Sequence, residues 1–171
     1  KRAVLAVLLA SGLLVACGPG TIEPGDTTGM DVTRENANYI VGGSTFTGLP
    51  AVGAITYNGY MHCTGTLIGP RKVLTAAHCV KGFSASKFKF IIGPSINQAQ
   101  YVLSVASASY HPNYNSSSIT NDIGYLILSS AAPVAPMGVV AKMDSSWVGK
   151  SLFFVGYGVN NGYNQTGAGV K

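Results

Sequence analysis

From position 40 onward, short apolar runs alternate with turn-forming residues. The runs over 50–57 and 60–68 flank Asn58-Gly59. Two β-type runs joined by Asn-Gly predict a tight hairpin, because both central residues must take positive φ and these two do so at the lowest cost. Further strands are expected over 71–76, 88–92, 101–110, 123–128 and 152–157, where Val, Ile, Tyr and Phe recur. No window sustains the 3.6-residue apolar period of an amphipathic helix. Strands at this spacing, separated by glycine turns, predict an all-β barrel or sandwich.

The first forty residues follow a different pattern. Lys1 and Arg2 precede a run from Ala3 to Ala16 that is almost entirely Ala, Val and Leu. A basic start followed by such a run reads as a secretory signal peptide over 1–16, since it is shorter than the ~20 residues a permanent membrane span needs. Its end, Leu14-Val15-Ala16-Cys17, resembles the bacterial lipobox, which implies that Cys17 carries lipid and becomes the first mature residue. The chain holds three cysteines. With Cys17 lipidated, Cys63 and Cys79 remain as a matched pair in an exported protein. Residues 17–39 are polar and rich in Gly, Pro and Thr, the composition of a linker or propeptide.

Composition narrows the class. Of 171 residues, 47% are hydrophobic and 10% charged, too apolar for disorder and of a length suited to one domain with its own core. The 22 glycines follow no triplet repeat, so the excess marks turns and excludes collagen; coiled coils and multi-pass membrane proteins are excluded as well. A net charge of +5 raises nucleic-acid binding, but the cations are scattered over the chain apart from a loose Lys81–Lys89 group. That distribution reads as a solvated basic surface rather than a phosphate track, and no nucleic-acid partner is expected.

Four motifs stand in one order: Ile40-Val-Gly-Gly43, Thr75-Ala-Ala-His-Cys79, Asn121-Asp-Ile-Gly-Tyr-Leu126 and Gly156-Tyr-Gly158, with His111-Pro-Asn-Tyr114 before the aspartate. Together they resemble the trypsin-like serine endopeptidases over residues 40–171. The resemblance implies a chymotrypsin-like antiparallel β-barrel, a first barrel plus the start of a second. It assigns His78 as general base and Asp122 as the acid that orients it. A near-neutral imidazole suits removal of a serine proton, and a carboxylate on its other nitrogen fixes the tautomer. Asp122 and Asp144 are the only acidic residues after position 39, and Asp122 precedes the apolar Ile-Gly-Tyr-Leu-Ile-Leu, so partial burial of Asp122 is expected. His62 and His111 read as surface or packing residues. The pairs His62-Cys63 and His78-Cys79 also offer the donors of a Cys₂His₂ zinc site, but adjacent side chains diverge and zinc ligands are usually spaced more widely, so a Cys63–Cys79 disulfide is expected instead. The chemistry calls for no cofactor and no metal.

In the family Ile40 would be the mature amino terminus, released by cleavage after Tyr39, where relatives carry Arg or Lys. Such a cut would free the domain from a lipid on Cys17. The protein is then expected at the bacterial cell envelope, membrane-tethered through that lipid, or secreted after the cut. The family's Gly-Asp-Ser-Gly-Gly motif does not occur in the sequence. With it go the nucleophile, the oxyanion hole and the specificity pocket, and the chain reads as a fragment of a serine endopeptidase acting on proteins or peptides, inactive by itself. The alternative is a non-catalytic homologue, a lipid-anchored protein that uses the barrel for binding. Asn115-Ser-Ser117 and Asn164-Gln-Thr166 match glycosylation sequons by chance.

Overall fold

A computed structural model describes residues 44–159 and 168–171. The expected signal peptide and linker, Cys17 and the Tyr39–Ile40 junction lie outside the described residues.

Six strands form the architecture: β1 (Val52–Tyr57), β2 (Tyr60–Gly69), β3 (Lys72–Thr75), β4 (Phe88–Ile92), β5 (Tyr101–Tyr110) and β6 (Gly124–Leu128). They close into a barrel in the order β1-β2-β3-β6-β5-β4, every pairing antiparallel. Asn58 and Gly59 join β1 to β2 with φ of 51° and 86°, the geometry expected of a two-residue turn between right-twisted strands. Closure leaves no free sheet edge, and breaks in register on β1/β2, β2/β3 and β5/β6 supply the bends that closure requires.

Alternation decides what fills the barrel. Ile55, Leu67, Val73, Phe88, Phe90, Ile92, Val105, Leu126 and Leu128 turn inward and are buried in one cluster. Gly65 stands among them because a Cβ there would lie 2.5 Å from Val73 Cγ1 and 2.9 Å from Ile55 Cδ1. The absent side chain is what lets β2 cross the core against β1 and β3.

The strand expected over 152–157 is not formed: Leu152, Phe153 and Phe154 are 54%, 71% and 77% exposed and lie outside any strand. Apolar content alone does not make a strand; it needs a neighbour for its backbone groups. Among the described residues no strand aligns with this segment. Tyr157, at its end, is instead fully buried against the outside of the barrel with Val52, Ala54 and Ile91.

Candidate active site

The register of β3 against β6 builds the site. Thr75, the last residue of β3, pairs with Gly124, the first of β6. The chain leaves the sheet after Thr75 at the same end where it enters at Gly124, so residues just past one and just before the other must meet. After β3 it makes one helical turn, with Val80 and Lys81 amides donating to the Ala77 carbonyl at 3.0 and 2.9 Å. Before β6, Asn121 takes a φ of 55° and its carbonyl accepts from the Ile123 amide at 2.8 Å, so Asp122 projects from a tight corner.

His78 and Asp122 meet there across 44 positions of sequence. The ring Nδ1 of His78 donates to Asp122 Oδ2 at 2.6 Å, and the backbone amide of His78 donates to Oδ1 at 2.8 Å. The Asp122 side chain is 18% exposed and that of His78 36%. Burial pushes the Asp122 carboxyl up, but the His78 ring and amide, the charge of His78 and the Ala77 amide together hold it below the ordinary carboxylate range. The partial burial expected of Asp122 is present. A carboxylate can only accept, so the imidazole carries a proton on Nδ1, and in the neutral ring this leaves the lone pair on Nε2.

A disulfide joins Cys63 on β2 to Cys79 behind His78, with a Cα separation of 6.2 Å. It ties the turn to the barrel wall. Cys63, His78 and Cys79 have their donor atoms within 4.8 Å of one another. Sulfurs bonded to each other are not thiolates, however, so the zinc reading has no sulfur donors while the bridge stands.

Four residues, His62, Thr64, Thr75 and Tyr114, contribute beyond the roles the sequence suggested. His62 donates from Nε2 to the Cys79 carbonyl at 2.8 Å, beyond mere packing; its position directly before Cys63 was the available signal. Thr75 Oγ1 donates to the Thr64 carbonyl at 2.9 Å, while Thr64 Oγ1 accepts from the Tyr157 amide at 2.9 Å, linking the end of β3 to the Gly156-Tyr-Gly158 motif. Tyr114 has its hydroxyl raised by desolvation and by the Asp122 charge, which places it in the field of the carboxylate. The His111 amide donates to the Ile123 carbonyl beside Asp122 at 2.9 Å, while its ring Nδ1 accepts from the Asn113 amide at 3.2 Å in a local turn.

A protein-family model described as Trypsin matches residues 40–169. Achelase-1 of Lonomia achelous is 30% identical over 129 residues, covering 71% of this chain and 61% of that protein. The vitellin-degrading protease of Bombyx mori is 36% identical over 92 residues, covering 52% and 35%. Trypsin, alkaline C of Manduca sexta is 36% identical over 108 residues, covering 58% and 41%. Among solved structures, the Vibrio cholerae VesB protease is similar with a TM-score of 0.50 and 26% identity, over 56% of this chain and 33% of that one. The chain spans less than two thirds of the length of each of these proteins.

Proposed function

The chain belongs to the trypsin family, and from that premise we propose that His78 and Asp122 are the base and the orienting acid of a serine endopeptidase. One observation carries the reading: an imidazole with Nδ1–H held on a partly buried carboxylate, at the mouth of a closed barrel. In that state Nε2 is free to take a proton from a serine hydroxyl as its oxygen attacks a peptide carbonyl. The imidazolium then gives the proton to the departing amine; a water deprotonated by the same nitrogen attacks the acyl group, and that proton passes to the serine oxygen as it leaves. Asp122 stays ionised throughout and stabilises the imidazolium. Proteins and peptides are the substrates, and no cofactor enters the cycle.

The Gly-Asp-Ser-Gly sequence of the family is not among these residues. The proposal is therefore that the nucleophile, the oxyanion hole and the specificity pocket come from a segment beyond them, and that the 171-residue chain by itself is inactive. A fluorophosphonate probe, which reacts only with an activated serine, tests this on two proteins. The 171-residue chain should remain unlabelled, and a product extended by downstream coding sequence should label and lose labelling on His78→Ala. Labelling of the short chain, or of the extended His78→Ala variant, would overturn the reading. The alternative, a binding-only homologue, predicts no labelling of either, and the aligned His78–Asp122 pair gives it no support, since binding alone has no use for an oriented base.

Export, a signal peptide over 1–16, lipid on Cys17 and cleavage between Tyr39 and Ile40 form part of the same proposal. The disulfide supports export, because such bridges persist in oxidising compartments. Amino-terminal sequencing of the processed protein tests the junction: Ile40 is the expected first residue, and any other start removes it.

A further inference from the structure

We propose that His62 is a positioning residue for His78, acting through the peptide bond that follows Cys79; the proposal rests on the catalytic reading above. Along a regular strand His62 and Cys63 would face opposite sides of the sheet. Here β1 pairs Ile55 with Cys63 and Thr56 with Met61, so His62 is the extra residue of a β-bulge and has no residue opposite it. A bulge breaks the alternation and re-aims a side chain. The result is that two successive residues of β2 grip one residue: Cys63 takes the sulfur of Cys79, and His62 takes its carbonyl oxygen at 2.8 Å.

The two grips do different work. A disulfide leaves rotatable single bonds between the two backbones, so it limits how far Cys79 can move and does not fix the plane of its peptide. The bonds within the turn close on the carbonyls of Ala77 and Val80. The Cys79 carbonyl is held by His62, and a carbonyl only accepts, so His62 carries a proton on Nε2. Three rings hold the imidazole in this pose: Phe83 edge-on at 4.7 Å between centroids, Phe88 at 5.7 Å and Tyr57 at 5.9 Å. Partial exclusion of water by these rings strengthens the bond. Fixing the plane after Cys79 gives the turn an anchor besides Asp122, and so keeps the His78 amide and ring on the carboxylate together.

Two variants separate the bond from the packing. His62→Phe keeps an aromatic ring and loses the donor. His62→Gln loses the ring and keeps an N–H the same number of bonds from Cα. Hydrogen exchange and proton NMR on the ¹⁵N-labelled 171-residue chain supply the readouts. In His62→Phe the His78 amide should exchange about tenfold faster, the worth of one ordinary hydrogen bond, and the deshielded His78 Nδ1 proton should broaden. The Phe90 amide in β4 should be unchanged, and His62→Gln should recover most of the protection at His78. Wild-type protection in His62→Phe, equal loss in both variants, or an equal rise at Phe90 each overturns the proposal. Failure of the fluorophosphonate experiment would strike the catalytic reading alone, because the exchange rates report the clamp without any chemistry.

Discussion

Asp122 accepts from an imidazole and from backbone amides only in the folded chain, so its charge is favoured there relative to the unfolded chain. The folded carboxyl therefore titrates below its unfolded value, and the unfolded chain takes up the proton first as pH falls. The stabilisation is complete above about pH 4, the ordinary carboxylate value, and is lost as pH falls through the lowered folded value. Asp144, whose carboxylate accepts from the Ser146 hydroxyl and amide, is shifted in the same direction. Asp122→Asn should thus flatten part of the acid limb of the stability profile, measured as thermal midpoint against pH, and leave the part due to Asp144. At neutral pH the same change should cost about 1–3 kcal/mol in urea denaturation, the usual loss when a charged hydrogen-bond partner is removed. An unchanged acid limb would mean that the Asp122 contacts do not persist in solution. His78 and Asp122 were legible because their sequence neighbours form local motifs. His62 and Thr64 were not, because their roles depend on a bulge and on partners 17 and 93 residues away.

At the level of elements, β2 does more than any other strand: it packs the core, holds the disulfide and carries the bulge. Its tightest point is Gly65. Gly65→Ala places a methyl group 2.5 Å from Val73 Cγ1 and 2.9 Å from Ile55 Cδ1, so β1, β2 and β3 must part or their side chains leave favoured rotamers. The expected destabilisation is about 1–3 kcal/mol, read from the urea midpoint, and a midpoint equal to wild type would show that the core has slack here. Replacing Cys63 and Cys79 together by Ser tests the bridge separately. Opening a loop of separation 16 should cost about 3 kcal/mol by chain entropy, seen as a lower thermal midpoint. The strands themselves were largely legible, β4 and β5 to the residue, because alternation and turn residues are local signals. Closure was not. The pairings of β1 with β4 and of β3 with β6 join segments distant in sequence, and neither leaves a periodicity to read. The segment over 152–157 misled for the complementary reason, since it is apolar without a neighbouring strand.

At the scale of the molecule, sequence-distant segments among the described residues are pinned to the outside of the barrel by buried polar atoms. Tyr157 is fully buried against Val52, Ala54 and Ile91, and its hydroxyl donates to the Gly93 carbonyl and, at 3.4 Å, to that of Val52. The Lys171 ammonium donates to the carbonyls of Gly48 and Leu49 at 3.0 and 3.2 Å, and lies 5.7 Å from the centre of the Tyr157 ring. Burial pushes the Tyr157 hydroxyl up to about 12, while the unfolded chain titrates near the ordinary value of about 10. Between those values the unfolded chain has given up a proton that the folded chain keeps, so stability declines as pH rises from about 10 to about 12. Lys171 acts in the opposite sense: burial lowers its ammonium, so the folded chain loses that proton first and gains stability over the range just below the ordinary lysine value. Tyr157→Phe separates the two. At neutral pH it should cost about 1–2 kcal/mol, because the Gly93 carbonyl loses its donor in a buried place. Above pH 10 its urea midpoint should fall less steeply than that of the wild type, and parallel alkaline limbs would show that the hydroxyl is in contact with water.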